Sequence, residues 1–238
     1  MSSIGVLNEG PLHAALKAWY ARPGDRVEVP VERYQVDLVR DDLLIEIQTA
    51  SFSSCAAKLR DLVARHRVRL VHPIARERFI VRLPEDGRGR PRRRRSPKRM
   101  GFEEIFGELV AIPELIAHEN FELELVATRE DEVRTFRKRP RRRRSEWQVQ
   151  ERRLLDVLAM RLVTSPDDLR GLLPRELPEP FDTAELAEAW GRPRDLAQRA
   201  TYCLRRSGAL VDAGRRGRAR LHAWSGSTAH PVAGAPAR

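Results

Sequence analysis

Residues 36–48 read VDLVRDDLLIEIQ, two runs of apolar and polar residues joined at the acidic pair 41–42. Val, Leu and Ile in such runs favour β-strands, and the short polar connection predicts an antiparallel hairpin. Asp37 lies in the first strand, while Glu46 and Gln48 lie in the second. Because side chains two positions apart on a strand share a face, we expect Glu46 and Gln48 side by side, with Asp37 close by on the neighbouring strand.

Charged side chains in these apolar strands indicate a functional site, because a buried carboxylate is destabilising unless it is paired or bound to a metal. Asp37 and Glu46, with the main-chain carbonyl of Ile47, offer the oxygen ligands that Mg²⁺ or Mn²⁺ prefers. Such an ion activates water and neutralises charge on a phosphate. The alternative is an edge strand whose polar residues face solvent, and the apolar run Leu43–Ile47 argues against it.

The segments on either side of this hairpin predict an α/β domain. Leu12, Leu16 and Trp19 recur at helical spacing before it, and the strand-like run Arg26–Val31 follows them. After the hairpin come an amphipathic helix and two further strands, at residues 53–66, 68–71 and 78–83. The predicted order over this part of the chain is therefore α-β-β-β-α-β-β.

This order, with Asp37 in the second strand and the pair Glu46 and Gln48 in the third, resembles the PD-(D/E)xK nuclease superfamily over about residues 5–83. The resemblance implies a restriction-endonuclease-like α-β-β-β-α-β core, with Asp37 and Glu46 as metal ligands and the third position orienting water. Gln48 stands there in place of the usual lysine and cannot carry an ammonium charge. In many members a glutamate of the first helix completes the site, which assigns Glu9 as a catalytic residue and His13 as a further candidate.

Two nearly identical arginine runs divide the chain, since RPRRRRS occupies residues 90–96 and occurs again at 139–145. Like charges repel one another and resist burial, so we expect both runs to be exposed and mobile. The predicted division has a nuclease-like domain with an arginine-rich loop, a linker, a second domain and a disordered tail. The corresponding residues are 1–136 with loop 88–99, 137–145, 146–225 and 226–238.

The segment after the second arginine run predicts a nucleic-acid-binding domain. Apolar residues of 147–163 recur at helical spacing, and residues 181–224 read as helix, turn, helix and hairpin. They predict a mainly helical winged-helix domain whose second helix, 196–207, enters the DNA major groove. The side chains assigned to nucleic acid are Arg194, Gln198, Arg199, Thr201, Arg215, Arg216, Arg218 and Arg220. The alternative is a winged helix that serves protein contacts or dimerisation.

Composition favours a polyanionic partner. The formal net charge is +11 and the isoelectric point is near 10.7, which favours nucleic acid first and an acidic membrane surface second. We expect DNA as the partner, with RNA as the alternative. The sequence has no run of about 18 apolar residues and no visible secretory signal. It therefore predicts a cytoplasmic protein without a membrane partner.

Two functions from different classes follow. The first is metal-dependent hydrolysis of phosphodiester bonds in DNA, with Mg²⁺ or Mn²⁺ as the cofactor. The second is a non-catalytic DNA-binding or regulatory protein, which Gln48 in the lysine position keeps open. The sequence leaves the oligomeric state undecided, and a homodimer is compatible with it.

Overall fold

The structure, a computed structural model, describes residues 10–85, 88–137 and 146–226. It is rich in β-structure, with 42% strand and 29% helix, and most of its strands join one large mixed sheet. Two compact units divide the chain, and both are discontinuous in sequence. The sheet unit comprises Met1–Ala50, His66–Phe102 and Glu124–Leu162, and the second unit comprises Ser51–Arg65, Glu103–Leu123 and Val163–Arg238.

The helices and strands have the following bounds. The α-helices are α1 (Pro11–Tyr20), α2 (Ala56–Val63), α3 (Phe106–Leu109), α4 (Pro166–Arg170), α5 (Thr183–Trp190) and α6 (Arg194–Arg206). The strands are β1 (Arg26–Val31), β2 (Tyr34–Arg40), β3 (Leu43–Ile47), β4 (Arg67–Arg82), β5 (Arg92–Arg95), β6 (Phe121–Arg137), β7 (Glu146–Val163), β8 (Leu210–Arg216) and β9 (Ala219–Trp224). None of the described helices is long and apolar enough to cross a membrane.

The large sheet has the strand order β1-β2-β3-β4-β6-β7, and β5 pairs with β4. β1, β2 and β3 form an antiparallel meander. β3 and β4 are parallel, with residues 43–47 opposite 67–71. Parallel neighbours need a long connection, and residues 48–66 supply it. The strand that carries Glu46 therefore lies inside the sheet, between two partners, and is not an edge strand.

Helix α1 covers this sheet with an apolar stripe. Leu12, Leu16 and Tyr20 recur every four residues and are at most 7% exposed. They join a buried cluster with Ile45 and Ile47 of β3. Burial of each such aliphatic side chain stabilises the fold by about 1.5–3 kcal/mol. The cluster holds α1 against the central hairpin.

Two buried glutamates of β6 are held by arginines. Glu130 is fully buried and accepts two hydrogen bonds from Arg152 of β7, at 2.8 and 3.0 Å. Glu132 accepts a hydrogen bond from Arg134 at 2.7 Å and forms an ion pair with Arg78 of β4 at 3.0 Å. Because a buried carboxylate without partners is strongly destabilising, these arginines allow β6 to carry charge inside the sheet.

Helix α6 lies at the centre of the second unit. Its residues Leu196, Ala200 and Leu204 are buried at helical spacing. Close to them, Phe106 of α3 meets Trp190 of α5 edge-on, with ring centroids 5.9 Å apart. The apolar side of α6 is therefore used for packing, and its polar side is left to solvent.

Local sequence signals set the ends of α5. Asp182 accepts hydrogen bonds from the N–H groups of Ala184 and Glu185, and the Glu185 side chain accepts one in return from the Asp182 N–H. This capping box satisfies N–H groups that have no partner within the helix. Gly191 ends α5 in the left-handed conformation, with φ 60°, which glycine adopts without steric strain. A short turn then leads into α6.

The predicted fold class, a restriction-endonuclease-like core followed by a mainly helical winged-helix domain, is wrong. Residues 147–163, predicted as a helix, belong to strand β7, which lies beside β6 in the sheet. The apolar positions there suit a helical period, but pairing with the long strand β6 decides for β-structure. The chain is consequently rich in strand, and its C-terminal part is not mainly helical.

The first arginine run also differs from its prediction. Arg92–Arg95 forms strand β5 and pairs with the end of β4, where a mobile loop was expected. All four side chains are exposed, as predicted. Arg93 donates to Asp131 at 2.9 Å, and Arg95 donates to Glu77 at 2.9 Å. These acidic partners offset the repulsion within the run, so the segment can pair as a strand.

Most of the other predicted elements are confirmed: the strands of the central hairpin, the helix after it, and the helices and hairpin of residues 183–224. The two strands predicted at 68–71 and 78–83 form one strand, β4, that runs through Pro73. The second arginine run and most of the predicted tail, residues 227–238, lie outside the described residues. The domain boundaries drawn there stay predictions.

Replacement of Arg152 by alanine should leave Glu130 buried without its arginine partner, and so lower the free energy of unfolding by roughly 3–5 kcal/mol. Urea unfolding followed by circular dichroism measures this change. Arg153→Ala is the matched control, because Arg153 is 59% exposed and an exposed ion pair such as the one with Glu151 contributes little. Equal destabilisation by the two variants would contradict the structural role assigned to Arg152.

Candidate functional site

The Asp37 carboxylate links three elements of the sheet unit. Its Oδ2 atom accepts a hydrogen bond from the Ile47 N–H of β3 at 2.8 Å and one from His13 Nε2 of α1 at 3.1 Å. The Ile47 N–H belongs to the peptide bond that joins Glu46 to Ile47. Asp37 is therefore held next to the backbone of Glu46, and His13 fixes it from the helix.

Asp37 keeps its negative charge at neutral pH although its side chain is only 16% exposed. Burial raises the pKa of Asp37, but the hydrogen bonds from His13 and Ile47 and the nearby charge of Lys17 lower it. The net result is a pKa below the ordinary aspartate value. The hairpin thus carries a fixed charge that could bind a cation.

Glu46 is 9% exposed, in a strand whose residues are all buried. Its neighbours Ile45 and Ile47 pack into the cluster with α1. Because side chains alternate along a strand, Glu46 and Gln48 share the opposite face of β3. The structure therefore places Glu46 and Gln48 on the face away from the α1 cluster, whereas the Asp37 carboxylate is bonded to His13 of α1.

Main-chain hydrogen bonds hold the end of β3 in place at Gln48. Its N–H donates to the Val71 carbonyl at 2.9 Å, and its side-chain oxygen accepts from the Ala50 N–H at 3.2 Å. His72 Nδ1 lies 2.6 Å from the Gln48 carbonyl oxygen, which only a donor nitrogen can satisfy. His72 therefore supports the backbone of the predicted water-positioning residue.

Asp37 of β2 and Glu46 of β3 carry the carboxylates with which this hairpin could hold a divalent cation. The described residues contain no group of three or more His, Cys, Asp or Glu side chains that could hold a metal. Mg²⁺ commonly takes one or two protein carboxylates and keeps several waters, and Asp37 and Glu46 meet that minimum. The N–H of Ile47 donates a hydrogen bond to Asp37, whereas the sequence assigned the Ile47 carbonyl as a metal ligand. Glu9, predicted as a further catalytic residue, lies outside the described residues.

The exposed side of α6 forms a second candidate site, in the second unit. Arg194, Gln198 and Arg199, all assigned to nucleic acid from the sequence, are exposed on it. Thr201 is 5% exposed, and its hydroxyl donates to the Gln198 carbonyl at 3.1 Å. Thr201 therefore belongs to the packed side of the helix and does not reach a ligand.

Three residues of the same helix surface were missed by the sequence reasoning. Tyr202 is 46% exposed, and Arg205 and Arg206 are exposed as well. They follow Gln198 and Arg199 at intervals of three and four residues, which is the spacing of one helix face. That spacing is visible in the sequence and could have identified them.

The arginines of the hairpin β8–β9 fall into two groups. Arg216 donates to Glu185 at 2.5 Å, and Arg220 forms an ion pair with Asp212 at 3.5 Å. Arg215 and Arg218 flank the turn at Gly217 and are exposed, and no described residue is paired with either of them. These two guanidinium groups are thus available to an anionic partner. We call Arg194, Arg199, Arg205, Arg206, Arg215 and Arg218 the C-terminal arginines.

Comparison with known proteins places the chain in a family. Residues 10–164 match the family described as Domain of unknown function (DUF8091), and the chain belongs to it. An uncharacterized protein of Treponema pallidum (strain Nichols) is 30% identical over 221 residues, which is 92% of this chain and 87% of that protein. No solved structure matches the chain. The similarity to the treponemal protein extends well beyond the family match and takes in the region of α6.

Asp37→Asn should lower the free energy of unfolding more at neutral than at acid pH. A carboxyl with a depressed folded-state pKa stabilises the fold above its unfolded-state value, near 3.8, and this contribution is lost as the pH falls through the folded-state value. Urea unfolding of variant and wild type at about pH 7 and about pH 3 measures it. Asp42→Asn, at a side chain 71% exposed, is the control. The same Asp37→Asn difference at both pH values would refute the stabilising role of the charge.

Proposed function

We propose that this protein binds nucleic acid, DNA in the first place, through the C-terminal arginines. The observation that carries the proposal is the exposed side of α6, where arginines recur at helical spacing beside Gln198 and Tyr202. Arginine suits phosphate because its guanidinium is always charged and donates in a forked geometry. Arg215 and Arg218 add two more such groups on the hairpin of the same unit.

Helix geometry favours DNA over RNA. The major groove of B-DNA, about 12 Å wide, admits an α-helix, whereas the major groove of an RNA duplex is too deep and narrow for side chains to read. Helix α6 is 13 residues long, and Gln198 on its exposed side has the amide that pairs with adenine. The net charge of +11 adds a general attraction to polyanions. Contact with DNA agrees with the cytoplasmic location predicted from the sequence.

Loss of two phosphate contacts should weaken DNA binding and its dependence on salt together. We expect Arg215→Gln/Arg218→Gln to lower duplex affinity and to reduce the slope of log K against log salt by about two. Fluorescence anisotropy of a labelled duplex at several salt concentrations measures both quantities. The matched control is Arg67→Gln/Arg153→Gln, which removes two charges at side chains 52% and 59% exposed in the sheet unit. An equal loss of affinity in the control would show that the C-terminal arginines act only through the net charge of the protein.

Phosphodiester cleavage at Asp37 and Glu46 is the second candidate function. The specific observation in its favour is the retention of a carboxylate, Glu46, in a strand that is otherwise apolar and buried, beside the ionised Asp37. A bound Mg²⁺ or Mn²⁺ would supply water activation and charge neutralisation. The chain's own residues would hold the ion through Asp37 and Glu46, while Gln48 would orient water and His13 would position Asp37.

Cleavage of linear, circular and single-stranded DNA with Mg²⁺ or Mn²⁺, against an EDTA control, tests this second candidate. Glu46→Gln should lower the rate at least about 100-fold, since it removes a charged ligand without changing the shape of the side chain. Asp42→Asn on the exposed turn is the control and should cleave like wild type. Wild-type protein that binds these DNAs and cuts none of them would leave binding as the whole function.

A further inference from the structure

A cavity of about 470 Å³ in the sheet unit is lined chiefly by arginines. Arg82 ends strand β4, Arg88 and Arg90 precede β5, and Arg92 begins it. Trp147 of β7 closes the remaining side. We call this cavity the Arg82 pocket. None of its residues belongs to the C-terminal arginines or to the hairpin of Asp37 and Glu46.

Arg82 is oriented before any ligand enters. Its guanidinium carbon lies 4.8 Å from the centre of the Trp147 ring, and the ring of Phe136 meets Trp147 edge-on at 5.4 Å. Stacking on an aromatic ring sets the plane of the guanidinium and leaves its N–H groups to donate in that plane. The Nε atom of Arg82 is buried and has no hydrogen-bond partner in the described structure. A buried donor in this state favours an acceptor arriving from the pocket.

Among the described residues, four arginines and one glutamate, Glu85, line the pocket. Arg93 and Arg95 of strand β5 differ from Arg92, because they donate to Asp131 and Glu77. Cations gathered around a concave surface repel one another unless an anion joins them. Because side chains alternate along β5, Arg93 and Arg95 bond acidic residues of the sheet, whereas Arg92 lines the pocket.

We propose that the Arg82 pocket binds the terminal phosphate groups of a nucleotide. The unpartnered Nε of Arg82 and the other arginines of the lining match a compact polyanion such as a di- or triphosphate, and 470 Å³ lies in the usual range for small-molecule sites. Arginine forks suit phosphate oxygens in pairs. The phosphates belong either to a free nucleotide or to the 5′ end of a nucleic-acid strand, and both carry the same chemistry.

Isothermal titration calorimetry of the full-length protein, with EDTA present, tests the pocket. The probes are inorganic pyrophosphate, ATP, and one oligothymidine with either a 5′-phosphate or a 5′-hydroxyl. We expect Arg82→Gln and Arg92→Gln each to weaken pyrophosphate and ATP about tenfold, as for one lost charge-assisted contact. Arg94→Gln is the matched control, because Arg94 is an exposed arginine of β5 that does not line the pocket. Arg92 is also exposed, so its variant keeps the test available if Arg82→Gln fails to fold.

The outcomes separate cleanly. Tenfold weakening by the two pocket variants with no change in Arg94→Gln supports the proposal. If only ATP and pyrophosphate bind, the source is a free nucleotide; if the 5′-phosphate strengthens the oligonucleotide, it is a strand end. Failure of the wild type to bind any phosphate probe, or equal weakening by Arg94→Gln, overturns the proposal. Arg215→Gln/Arg218→Gln should leave pyrophosphate binding unchanged. Failure of the DNA-binding proposal can therefore be distinguished from failure of the pocket proposal.

Discussion

The parallel pairing of β3 with β4 is the constraint on which the sheet unit depends. It buries β3 between two strands, and it obliges residues 48–66 to leave the sheet and return. The pairing also sets Gln48 against Val71 through a 2.9 Å hydrogen bond. The register of this pairing also matters for Glu46 and Gln48, because a slip by one residue would move both side chains together to the other face of the sheet.

Buried acids in this sheet are treated in two different ways. Glu130 and Glu132 lie among arginines that bond them directly, and such pairs keep the charge without providing chemistry. Asp37 is stabilised instead by a backbone N–H and a histidine, which lower its pKa without an arginine on the carboxylate. This difference marks Asp37 as the acid with functional potential, since a cation can still approach a carboxylate held in this way.

The arginines show the same division between structure and function. Those of β5 that meet Asp131 and Glu77 make an unusually basic segment compatible with a strand. Arg215 and Arg218, and the Nε atom of Arg82, have no such partner among the described residues. These arginines lie in two different units of the chain. We propose a partner that carries phosphate, nucleic acid or nucleotide, for both places.

The sequence alone determined the central hairpin, the apolar stripe of α6 and the capped helix α5, because their signals lie within a few residues of one another. It also pointed to Asp37 and Glu46 as candidates, since a charge in an apolar strand is visible without a structure, and their role stays a prediction. Tertiary structure decided that residues 147–163 pair as β7, that an arginine run becomes β5, and that Arg82 stacks on Trp147. Each of these depends on a partner distant in sequence, because a strand forms its backbone hydrogen bonds with neighbouring strands and not within itself.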